Sequence, residues 1–137
     1  MGIIMRNRKC YTGKVKEQPV YSTDEQCIGY IDINGTQKKL YQKTYTGTFG
    51  TLTKGAWSSV TITTFPETSY RLQHYEGWAN HTTGRVMIPY CLARPTAEQL
   101  FMVNQTFTGT VAIGYYMASA TNYDNCDWQV TLQYTKD

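Results

Sequence analysis

The sequence predicts an all-β fold: a single antiparallel β-sandwich, jelly-roll-like in type. Three observations carry that expectation. No window of eleven residues sustains a helical period, whereas short runs of alternating apolar and polar residues recur between Gly, Pro and Asn punctuation. Charged residues make up only 17% of the 137 and aromatics 14%, with twelve Tyr, so the exterior is built from hydroxyls and amides more than from charges. About seven or eight short strands at such spacing suit a two-sheet domain, and the length suits one domain with a genuine core.

The chain opens on a basic arm, residues 1–19. Arg6, Arg8, Lys9, Lys14 and Lys16 precede its first acid, Glu17, while the remainder is close to neutral. Five charges without a folded basic face do not make a nucleic-acid site, so the arm reads as a docking segment. Gln18-Pro19-Val20 marks the boundary, because proline disfavours continuing a regular element. Residues 20–137 form the sandwich domain.

Asn34-Gly35 is the strongest local signal. Both residues tolerate positive φ, as a two-residue hairpin turn demands. Cys27–Ile33 and Lys39–Tyr45 flank it as strands. Ile28 and Tyr30 share one face and Ile31 and Ile33 the other, a pattern expected where a second sheet or another subunit covers both sides. Gly47–Trp57 reads as a Gly-punctuated loop. Val60 and Ile62 alternate with threonines in the next strand, which Phe65-Pro66 ends. Residues 67–84 show no lasting period and are expected to be irregular. Arg85–Leu92 follows as one strand with Val86, Ile88, Tyr90 and Leu92 aligned, edge or bulged because Pro89 cannot donate to a ladder. Gln99–Val103 and Thr110–Met117 are strands. In the last, Trp128, Val130, Leu132 and Tyr134 face the core, with Gln129, Thr131 and Gln133 toward solvent.

Four cysteines, at 10, 27, 91 and 126, form no CxxC pair, and there are two histidines. That argues against structural zinc. Gly2-Ile3-Ile4-Met5 is too short for a signal-peptide core, so the thiols are expected to be reduced, small core residues. No apolar run approaches the ~20 residues of a membrane span. Asp124–Asp127 lacks the ligand alternation of a calcium loop. No cofactor is expected.

Ser22–Gly29, Ile31-Asp32, Asn34-Gly35 and Leu40–Thr44 together resemble a hairpin of bacteriophage appendage proteins: the terminal domains of tail-fibre, receptor-binding and head-fibre proteins. Tyr30 stands where that pattern has Trp, Lys39 where it has Pro, and Ile33–Gln37 makes a longer connection. Val130–Lys136 resembles the same family's last strand, and Met5–Gly13 its lead-in. The resemblance brackets the chain and leaves its middle unmatched. It implies a virion protein assembled in the bacterial host cytoplasm, a homotrimer, attachment to other virion proteins through the arm, and adsorption to a host-surface glycan or protein. The two-sided hairpin is consistent with a trimer.

Candidate receptor-binding residues come from the two least regular stretches, since an irregular stretch as long as 67–84 is normally functional or covered by a partner. That stretch supplies Arg71, His74, Tyr75, Glu76, Trp78 and Asn80; the 119–125 turn supplies Asn122, Tyr123 and Asn125. Aromatic faces suit the apolar side of a sugar ring, and amides or carboxylates its hydroxyls. The same aromatics also suit a subunit interface. Glu76 with Asp124 or Asp127 is the one pair a capsule-degrading glycosidase would use. Ten scattered acids yield such a pair by chance, and no catalytic residue is expected. A free-standing carbohydrate-binding module is the remaining alternative.

Overall fold

The computed structural model describes residues 20–66 and 69–136, so the basic arm 1–19 lies outside the described residues. Nine strands form among them: β1 (Gln26–Ile33), β2 (Thr36–Thr48), β3 (Trp57–Thr64), β4 (Tyr70–His81), β5 (Gly84–Ile88), β6 (Tyr90–Leu92), β7 (Gln99–Gln105), β8 (Thr110–Met117) and β9 (Asp127–Lys136). They build a five-stranded sheet, β1-β2-β9-β4-β5, and a four-stranded sheet, β3-β8-β7-β6, both antiparallel. The expected β-sandwich is what the residues form.

The hairpin turns at Asn34 and Gly35, with φ of 52° and 82°. Only the second half of β2, from Tyr41, pairs with β9; Thr36–Leu40 pairs with β1 alone. The hairpin tip is therefore a two-stranded ribbon extending past the third strand. Within the chain, Ile28 and Tyr30 remain exposed rather than covered.

Alternation in β9 aims Trp128, Val130, Leu132 and Tyr134 inward, where they meet Val111, Ile113, Tyr115 and Met117 of β8 in one core. Aromatic rings fill its two ends. Phe101 contacts Phe49 at 5.6 Å and Tyr123 at 4.9 Å, while Phe65 contacts Tyr134 at 4.7 Å. Burial pushes the Tyr123 hydroxyl up to about 12.

Several expectations are corrected. Residues 70–81 are a strand beside β9 and not a loop. A β-bulge between Leu72 and His74 leaves Gln73 unpaired in the register, so Tyr70 and Leu72 point inward on one phase and Tyr75, Gly77 and Ala79 on the other. The bulge erased the period. The 85–92 strand splits at Pro89, so that β5 edges one sheet and β6 the other. Thr131 is buried instead of solvent-facing. Cys27 and Cys91 are exposed free thiols and Cys126 is half-buried, so none of these three is a core residue.

Candidate functional site on the outer face of the five-stranded sheet

Register decides what shares a face. Thr44, Thr131 and Glu76 form one row across the outer face of the five-stranded sheet, and Thr46, Gln129, Trp78 and Met87 form the next. Beyond them lie Thr48 with Asp127, and Asn80 with Arg85. The bulge in β4 thus sets Glu76, Trp78 and Asn80 outward while Gly77 and Ala79 fill the core. A Cβ on Gly77 would run into the Gln129 carbonyl and the Val130 backbone.

Residues Val20–Ser22 cross this face as a strap. The Gln42 side-chain amide donates to the Val20 carbonyl, and the Thr44 N–H donates to the Ser22 carbonyl, both at 2.9 Å. Beneath it, the Thr44 and Thr131 hydroxyls share a 2.7 Å hydrogen bond, which satisfies two groups that burial would otherwise penalise. Tyr21 lies against Glu76, and a hydrogen bond to that carboxylate, with its charge, raises the tyrosine hydroxyl's pKa.

Trp78 stands between two shallow cavities. One, of about 290 Å³, is lined by Thr46, Gly47, Thr48, Asp127 and Trp128 besides Trp78. The other, of about 120 Å³, is lined by Tyr21, Glu76, Met87, Gln129 and Thr131, with Gly77 and Trp78. The Arg85 guanidinium lies 3.6 Å from the Trp78 ring centroid, and its Nε donates to Asn80 Oδ1 at 2.7 Å. In the first cavity the Thr48 hydroxyl donates to Asp127 Oδ1 at 3.0 Å. The arrangement offers apolar ring and thioether surface bordered by carboxylates, amides and hydroxyls, the composition of a site that orients a polyhydroxylated ligand.

Of the residues expected from sequence, Arg71, His74, Glu76, Trp78 and Asn80 all fall on this outer face. Tyr75 does not: it faces inward and packs on the core. Tyr123 is 2% exposed, its ring against Phe101 and its hydroxyl donating to Gln99 Oε1 at 3.3 Å. Strand phase thus turns Tyr75 away from the outer face, and burial encloses Tyr123. Asn122 and Asn125 are exposed, in a turn tied to the β4–β5 turn by the Thr82 N–H to Asn122 carbonyl bond; neither lines the cavities beside Trp78. Sequence reasoning missed Tyr21, Arg85, Met87 and Gln129. The alternation of β9 contained the signal for Gln129, but which strands flank β9 did not follow from it.

A second polar cluster closes the end of the sandwich. Glu25 accepts hydrogen bonds from the Tyr134 hydroxyl and, at 2.6 Å, from Lys136 Nζ. Partial burial alone would raise the Glu25 pKa, but these two donors outweigh it and the carboxyl is held below its ordinary value. The Tyr134 hydroxyl is pushed up, first by burial and then by that carboxylate.

No protein-family profile, no curated protein and no solved structure matches this chain.

Proposed function

We propose that this chain is the recognition domain of a bacteriophage appendage, a tail-fibre, receptor-binding or head-fibre protein, and that it adsorbs reversibly to host-surface glycan through the outer face of the five-stranded sheet. One observation carries the binding half: Trp78 flanked by two cavities whose rims mix carboxylate, amide and hydroxyl groups. The hairpin from Ser22 to Thr44 and the last strand, through their resemblance to appendage proteins, support the virion half. Residues 1–19 would attach the domain to its neighbours in the particle. No chemistry on the glycan is assigned.

Trimeric assembly belongs to the same reading. The outer face of the four-stranded sheet gathers Trp57, Leu100, Met102, Ala112, Gly114 and Tyr116 in register, and Ser59, Thr61, Asn104 and Cys91 complete it, with Glu98 at the border beside Trp57 and Leu100. Interface cores are depleted in charge and enriched in aromatics and Met. Several weak sites on one particle then gain avidity over any single one.

The test is a glycan array probed with the protein and with Trp78→Ala. Binding to a defined set of bacterial glycans, reduced at least tenfold in the variant, supports the reading. Absence of any glycan binding by a folded oligomer overturns it. A clean monomer that still binds one sugar would instead favour a free-standing carbohydrate-binding module.

A further inference from the structure

We propose that the glycan taken at this face is acidic, and that Arg85 seats its anion. This rests on the glycan-binding reading above and specifies its ligand class. Arg85 is held at two points. Its plane lies 3.6 Å from the Trp78 ring centroid, and its Nε is engaged by Asn80 Oδ1 at 2.7 Å. Those contacts fix the guanidinium and leave its terminal nitrogens unspent. Among the described residues the one ion pair found is Lys136 with Glu25, so no described carboxylate lies within 4 Å of Arg85 to neutralise it.

The neighbouring acids are committed elsewhere. Asp127 accepts from the Thr48 hydroxyl, and Glu76 faces Tyr21 on the far side of Trp78. A guanidinium held in one plane, with two parallel N–H donors free, matches the two oxygens of a carboxylate or phosphate, and little entropy remains to be lost on binding. Arg85 also occupies part of the indole face. A sugar ring therefore lies beside Trp78, in the cavity of Thr46, Thr48 and Asp127, with its acid group turned to Arg85. Asp127 there accepts from sugar hydroxyls and disfavours a second anion in the cavity. The site thus fits a repeat in which an anionic unit adjoins a neutral one.

The experiment is a binding titration against alginate and other polyuronates, their carboxyl-reduced counterparts, poly(glycerol phosphate) and neutral dextran. It uses the wild-type chain, Arg85→Lys and Arg85→Met. Methionine keeps an apolar stem over the indole, and thermal melts check that each variant is folded. Expected are binding to an acidic polymer at least tenfold tighter than to its neutral counterpart, a comparable loss in both variants, and affinity that falls as salt rises. The polyuronate and polyphosphate arms tell which anion is taken. Equal binding to acidic and carboxyl-reduced polymers, undiminished in Arg85→Met, overturns the inference while leaving the glycan-binding reading intact. Failure of the folded protein to bind any polymer, neutral ones included, overturns both.

Discussion

Gly77 and Trp78 are neighbours that answer to opposite demands. Gly77 is buried because the β9 backbone passes too close for any side chain, while Trp78 is turned outward onto the face we assign to ligand. The contrast extends to Trp128, 4% exposed, whose indole Nε1 has no hydrogen-bond partner among the described residues. An unpaired buried N–H costs about 1–3 kcal/mol. Trp128→Phe removes that penalty along with part of the ring, so its stability in urea denaturation should stay within about 1 kcal/mol of wild type. Trp128→Ala should lose about 3–5 kcal/mol. Glu25 supplies a pH dependence at the same scale. Its folded pKa lies below the ordinary 4.5, so its stabilising contribution is fully present above that value and is lost as pH falls through the folded pKa. Thermal melts from pH 6 to pH 2.5 should show Glu25→Gln losing less stability across that window than wild type. Lys136, raised by its bond to the same carboxylate, loses its share only at alkaline pH, above its ordinary 10.5.

At the scale of elements, legibility followed the regularity of the pleat. β9 keeps one phase from Trp128 to Tyr134 and was readable, as was the Asn34-Gly35 turn, because the turn chemistry is local. β4 was not, since one bulged residue shifts its phase midway and the two half-patterns cancel over any window. Five of the nine expected contact residues, Arg71, His74, Glu76, Trp78 and Asn80, nevertheless share one outer face, because polar and aromatic side chains between a bulge and a turn are conspicuous whatever the backbone does. Tyr75 and Tyr123 failed for the lack of phase and burial, which only pairing supplies. Residue 73 gives this a test. Leu72 pairs with Tyr134 and His74 with Gln133, so deleting Gln73 leaves every side chain of β4 on its present face, whereas deleting Glu76 moves Trp78 into the core position of Gly77. The first deletion should fold, with a cooperative melt; the second should not, as circular dichroism would report.

For the whole molecule, the two outer faces differ in chemistry. The five-stranded sheet presents Trp78 with Glu76, Asp127 and Arg85 around it; the four-stranded sheet presents Trp57 and Met102 among apolar and hydroxyl side chains, with Glu98 at the border. We assign the first to ligand and the second to sister subunits. A carboxylate at the centre of the second face would have to be desolvated on assembly without a partner, which costs several kcal/mol. Met102→Glu should therefore lower the mass measured by light scattering from oligomer to monomer while the melting temperature of the chain falls little, since Met102 is 37% exposed. An unchanged mass would exclude that face from the interface.

The three tryptophans make the central claim directly measurable. Each gives one indole N–H signal in a ¹H–¹⁵N correlation spectrum: Trp78 on the proposed binding face, Trp57 on the opposite sheet, Trp128 in the core. On titration with the glycan that binds most tightly, the account predicts that the Trp78 signal moves in proportion to occupancy, with the Trp128 signal, from the floor of the same cavity, following it, while the Trp57 signal holds still. Movement of Trp57 with Trp78 unmoved would place recognition on the four-stranded sheet and contradict the account.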